Sequence, residues 1–283
     1  MHHEKEEIVC PNCGTHVSGN YCYECGQSNH LHRDTFAGLI FHFFEHYFHY
    51  DNKFWQTIRT LLFKPGELTV AYWKQQRMRY ISPISLYVFV SAVYFTLGFI
   101  LFPTQQKKGI EAAYSIRSMA PVKIAYTKDS LDKEPIAPNS TAAKFKNPEF
   151  VKAFTEKIVH TFPKIFFLMI PFTALLLKLL FIRRRDIYFV DHIIFSLHYH
   201  SFYFLAGLFA IILGTLPLLA ISILVGIGVY VLEFLYFVKG LKVVYNISSG
   251  RSVLYTITIG FCYLLTMGSI SYVYVRYLLN HMS

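Results

Sequence analysis

The sequence predicts an all-α polytopic membrane protein with about five transmembrane helices, preceded by a small zinc ribbon and amphipathic interfacial helices. Three observations carry that expectation. Hydrophobic residues make up 54 % of the 283-residue chain, at a mean hydropathy of +0.36, and gather into runs of about twenty, the length a helix needs to cross a bilayer. Basic residues cluster at alternate ends of those runs, as they do in loops on the cytoplasmic side. Two CxxC pairs lie ahead of the first run, at a spacing that suits one metal ion. The formal charge of +10 points to anionic lipid rather than nucleic acid, because the basic residues flank apolar runs. The opening MHHEKEE is polar and offers no signal-peptide core, so the N-terminus is expected in the cytosol.

Residues 1–30 are read as a cytoplasmic zinc ribbon. Cys10-Pro-Asn-Cys13-Gly and Cys22-Tyr-Glu-Cys25-Gly each place two thiolates on a tight turn, and the glycine after each pair lets the backbone fold beneath the sulfurs. Two such knuckles give four ligands for one tetrahedral zinc, and this closed structural set is favoured over a redox dithiol. The fifth cysteine, Cys262, lies alone in an apolar run, so a disulfide framework is not expected. His16, between the knuckles, is expected at the surface.

Residues 31–81 are expected to form amphipathic helices in the membrane interface. Between Thr35 and Tyr50 a helical period places His42, Glu45, His46 and His49 on one face and aromatic residues on the other. That face reads as a solvated polar surface or as a second metal or proton site. Its His42-x-x-Glu45-His46 spacing matches the inverted zinc-protease motif, a weak signal by itself. Lys64-Pro65-Gly66 is expected to break the next helical stretch. Lys74, Arg77 and Arg79 then gather before the first span, where they are expected to anchor it through lipid phosphates.

The spans are expected at 82–102, 161–182, 193–213, 218–238 and 253–278, with 103–160 an extracytoplasmic loop. Lys74 to Arg79, Arg183-Arg184-Arg185, and Lys239, Lys242 and Arg251 then all face the cytoplasm, while the uncharged turn after Gly214 faces out. The C-terminus is expected outside. The ten basic residues of the long loop do not overturn this, since charge loses its hold on loops of that length.

Asp191, His192, His198 and His200 enter the third span, and ionisable groups at membrane depth are functional candidates by default. Asp191 and His198 share one helix face, and His192 and His200 share a neighbouring one. The topology puts them at the same side as the His42 helix. Three readings remain open: interhelical hydrogen bonding, a metal or proton site shared with His42, Glu45, His46 or His49, and recognition of a lipid headgroup.

The order of these features resembles a family of bacterial inner-membrane proteins with an N-terminal zinc ribbon, frequent in Bacteroidetes. The resemblance rests on Cys10, Cys13, Cys22 and Cys25, on His42, Glu45 and His46, on Pro65, Gly66 and Arg77, and on His192, His198 and His200. It implies a location and a layout and no particular activity. Five spans with a cytosolic N-terminus are also similar in layout to Yip-type membrane-trafficking proteins. The expected role is a transport, scaffold or partner-binding component that contacts membrane lipids, docks a cytoplasmic protein through its ribbon and can assemble as a homo-oligomer. The alternatives are a lipid-acting intramembrane metalloenzyme with Glu45 or Asp191 as general base, and a proton-coupled transporter or channel that uses the histidines as a relay.

Overall fold

The computed structural model describes residues 8–17, 19–28, 53–119, 144, 148–214 and 219–282, and of residues 8, 102–119, 148, 214 and 219–222 the backbone alone. Among these residues the chain is an all-α polytopic protein, with five helices long and apolar enough to cross a membrane, and a small N-terminal Cys-rich unit. That unit holds two short strands, β1 (Ile8–Val9) and β2 (His16–Val17), paired antiparallel with Ile8 opposite Val17. The His42 to His49 face lies outside the described residues.

Two short helices lead to the bundle, α1 (Lys53–Phe63) and α2 (Glu67–Trp73). The break between them falls at Lys64-Pro65-Gly66, where Gly66 adopts a left-handed φ of 84°. A β-carbon there would also meet the Val244 side chain at 3.0 Å and the Gly240 carbonyl at 3.1 Å, so both conformation and space require glycine. The two helices pack on the bundle. Leu61, Leu68, Thr69 and Ala71 are buried against the bundle, and the Tyr236 hydroxyl donates a 2.7 Å hydrogen bond to the Leu61 carbonyl in the last turn of α1.

The long helices are α3 (Pro83–Met119), α4 (Pro148–Leu180), α5 (Phe189–Gly214), α6 (Leu219–Tyr245) and α7 (Ser249–His281). α3 continues as helix through Pro103 to Met119, and α4 already begins at Pro148. Both therefore reach into the segment expected to be loop. Polarity sets where a helix leaves the bilayer, while backbone hydrogen bonds continue wherever residues such as Gln105, Glu111, Ala112 and Ala113 favour helix.

α5 is the axis of the bundle, packed against α3, α4 and α6, with α7 closing on α6 and α4. Its buried Phe204 is surrounded by Tyr87, Tyr94, Phe95 and Phe166 at ring-centroid distances of 4.9 to 5.8 Å. Phe202 stacks on Tyr236 of α6. Lipid tails compete equally for apolar side chains, so packing geometry of this kind, at about 0.5–1.5 kcal/mol per aromatic pair, holds the helices together. Gly207 admits the Tyr94 ring, which would lie 2.9 Å from a β-carbon at that position. The outer surface is a coat of exposed aliphatic and aromatic residues, Leu224, Leu264 and Val273 among them, as lipid contact requires.

One end of the bundle is tied by Tyr245, whose ring stacks on Phe181 at 4.1 Å and meets Trp73, His192 and Phe195 at 5.5 to 5.9 Å. These contacts draw α2, the turn after α4, the start of α5 and the end of α6 to one level. The clusters at Lys74 to Arg79, Arg183 to Arg185, and Lys239 to Arg251 therefore share one end, as the alternation of charge predicts. At the other end Phe150 and Phe154 pack on Leu278 and Met282. Lys144 donates to the terminal carbonyls of Leu279 and Met282 at 2.9 and 2.6 Å, a favourable place for a cation.

Candidate functional site

The N-terminal unit assembles a metal-ligand set from two nearly identical knuckles. In each, the first cysteine's N–H donates five residues ahead, to Thr15 or Gln27, and the glycine N–H four residues on donates back to that cysteine's carbonyl. Gly14 and Gly26 complete the turns at φ of 82° and 72°, a conformation that glycine adopts without strain. The result places Cys10 and Cys25 sulfurs 3.7 Å apart and Cys13 and Cys22 sulfurs 3.5 Å apart, with all four within 4.8 Å. A tetrahedral site with metal–sulfur bonds of about 2.3 Å needs sulfurs separated by about 3.8 Å, so the set fits one ion. Hydrogen bonds from Thr15 hold the Cys13 thiol down, to about 6, while burial pushes the Cys25 thiol up to about 11. His16 is exposed on β2 and stays outside the set. Cys262 sits apart in α7.

The ribbon is seated on the rest of the chain. Gln27 is buried, and its Nε2 donates at 2.8 Å to the carbonyl of Gln75, a residue in the left-handed region at φ 62°. Around that seat, Lys74 and Arg79 are exposed. The Arg77 guanidinium lies 5.3 Å from the Tyr72 ring centre, and that of Arg79 lies 5.3 Å from the Tyr80 ring.

The polar residues of α5 disperse. Asp191 Oδ2 accepts a 2.9 Å hydrogen bond from the Tyr188 N–H and so caps the start of the helix. His192 Nδ1 is 2.7 Å from the Tyr245 hydroxyl on α6, and His198 Nδ1 is 2.9 Å from the Thr69 hydroxyl on α2. His200 Nδ1 lies 2.7 Å from the Ser196 carbonyl, which can only accept, so this nitrogen carries the proton. Its Nε2 lies 3.5 Å from the Tyr263 hydroxyl on α7. All three imidazoles are buried, each on a different helix's polar atom or its own backbone. Among the described residues only the four cysteines form a set of three or more His, Cys, Asp or Glu side chains close enough to share an ion.

A further ionisable residue, Glu233, was not singled out from the sequence. It lies near the middle of the 23-residue span Ile223–Tyr245 and is 7 % exposed. The rule that draws attention to His198 would also have found it, because it is a carboxylate inside an apolar run. Its helical register is equally legible, since Glu233, Tyr236, Phe237, Leu241 and Val244 form one buried stripe at helical spacing.

A family model described as a protein of unknown function (DUF3667) matches residues 51–95. The matched stretch is similar to that family over α1, α2, the basic cluster and the first half of the first span, and it contains Pro65, Gly66, Thr69 and Arg77. No curated protein matches the chain, and no solved structure does.

Proposed function

We propose that this integral membrane protein is a scaffold or partner-binding component of a bacterial inner membrane, and that its ribbon is a zinc-stabilised docking module for a cytoplasmic protein. The observation that carries the reading is the ribbon's two-sidedness. One side is anchored through the buried Gln27 to the Gln75 carbonyl, while Tyr21 and Tyr23 stand 68 % and 74 % exposed on the same small unit. Exposed aromatics on a rigid, anchored platform are the composition from which protein interfaces take their anchors. Zinc would supply fold energy there and no chemistry, since four thiolates leave no open position. The N-terminus is cytoplasmic on this reading because the ribbon sits at the end that gathers the basic clusters. Lys74, Arg77 and Arg79 then meet lipid phosphates beside it.

Two measurements test the reading. Purified protein is expected to hold one zinc per chain, lost in Cys10→Ser and Cys22→Ser. A metal that survives those changes and disappears in His198→Ala would favour the lipid-acting metalloenzyme instead. A photo-crosslinker in place of Tyr23 in intact cells is expected to give a discrete adduct with one soluble protein. Adducts with lipid or with the chain itself alone would overturn the docking role.

A further inference from the structure

We propose that Glu233 is the proton-binding carboxyl of an intramembrane site built by α3, α5, α6 and α7, a role that stands apart from the ribbon and its partner. Depth is the first support. Glu233 lies midway along its span, and Tyr94, His200 and Tyr263 lie near the middles of theirs, so the four occupy one level of the bundle. Direction is the second. Val231, Leu232, Phe234 and Leu235 face outward, 39 to 52 % exposed, while Glu233 falls on the buried stripe and directs its carboxyl into the bundle. An acid placed there, rather than snorkelling to an interface, marks an ion or proton site by default.

The surroundings favour a proton over a metal cation. The carboxyl lies within electrostatic reach of the hydroxyls of Tyr94 on α3, Tyr199 and Tyr203 on α5, and Tyr263 on α7. On its own helix Tyr236 commits its hydroxyl to the Leu61 carbonyl, and Tyr230 is exposed. α2 also packs on α6, and its one acid, Glu67, is paired with Lys64 at 3.1 Å. The titratable groups within electrostatic reach of Glu233 are thus phenols, which accept and donate protons. His200 links this group to α7, its Nε2 facing the Tyr263 hydroxyl. Polar side chains also continue from this level toward the basic end, through the half-buried Tyr199, the buried His198 with Thr69, and the buried His192 with Tyr245. Beyond Tyr203, α5 is apolar from Phe204 to Leu213. A proton taken from water at the basic end would add to one carboxylate oxygen and remove one negative charge from the middle of the bundle.

The test uses the full chain in liposomes and the apolar reagent dicyclohexylcarbodiimide, which adds to the acid form of a carboxyl and not to the carboxylate. Mass spectrometry is expected to place the adduct on Glu233, with labelling that falls about tenfold per pH unit above its midpoint, as a one-proton titration requires. Sodium at constant pH is expected to have no effect, and Glu233→Gln to abolish the adduct while keeping one zinc per chain. Labelling that is the same at every pH would show a permanently protonated, structural acid and overturn the proposal. Protection by sodium would overturn it in favour of a metal-cation site, and absence of the adduct at acid pH would overturn it outright. Tyr199→Phe combined with His200→Phe is expected to slow the loss of labelling after an alkaline pH jump at least tenfold; an unchanged rate would remove the phenol–imidazole route.

Discussion

The ribbon and the bundle both hold reactive side chains in place, and they do so in opposite ways. In the ribbon four thiols converge on one point, and two glycine-closed knuckles bring sulfurs distant in sequence to within 4.8 Å. In the bundle three histidines on one helix diverge, each to its own hydrogen-bond partner on α2, on α6 or on its own helix turn. Convergence creates a binding centre, whereas dispersal creates helix–helix specificity. In lipid, that specificity matters because apolar contact alone does not select a partner.

The largest effect that can break this contrast is loss of the metal. On the proposed zinc-holding reading, Cys22→Ser is expected to abolish metal binding and unfold the N-terminal unit, since a structural zinc in a small domain supplies about 10–16 kcal/mol. Helical circular dichroism of the bundle should stay unchanged. A large loss of helix would show that ribbon and bundle fold as one unit. Metal binding to the apo ribbon at neutral pH should also release protons. With Cys25 at about 11 its thiol is protonated at that pH and must give up its proton, whereas Cys13, at about 6, is already largely thiolate. The heat of zinc binding should therefore vary with the ionisation enthalpy of the buffer.

Next in size is Gly66→Ala, which adds both a left-handed strain and a clash with Val244 and the Gly240 carbonyl. A cost of about 1–3 kcal/mol is expected, read as a lowered thermal midpoint of the detergent-solubilised protein. Thr69→Val should cost somewhat less, about 1–2 kcal/mol, by leaving the buried His198 Nδ1 without its partner. If dispersal is the right description, Thr69→Val and Tyr245→Phe should be additive, because their histidines belong to separate pairs. Strong coupling between them would indicate one shared site. The smallest effect is expected for Lys144→Ala, about 0.3–1 kcal/mol, from the loss of a cation at the C-terminus of α7.

How much of this was legible in advance differs between the same two regions. The four-cysteine cluster was readable nearly whole, because its sulfurs come from sixteen consecutive residues and the glycine that each knuckle needs stands next to its second cysteine. The spans and the break at Lys64-Pro65-Gly66 were readable too, since length, apolarity and turn residues are local properties. The partners of the histidines were not. By depth the His42 to His49 face was their expected neighbour, and that face lies outside the described residues. The residue that meets His198, Thr69, lies in a short helix with no periodic signal of its own to mark it, and Tyr245 stands at the end of a span where an aromatic residue reads as an interfacial anchor. Glu233 was legible as an anomaly of composition, but its neighbours come from three other helices.

The sequence by itself determined the class of protein, the number of long apolar helices among the described residues, the four-cysteine set and the sharing of one end by the basic clusters. Each follows from spacing along the chain or from a transfer free energy that depends on residue type alone. Only the tertiary structure decided that α5 is the axis, that the three α5 histidines take separate partners, that the N-terminal unit rests on Gln75, and that Glu233 lies within electrostatic reach of tyrosines on three other helices. The physical reason is that a bilayer fixes how deep a side chain lies but not which way it turns. Rotation about each helix axis is set by small and aromatic residues fitting together, as at Gly207 against Tyr94.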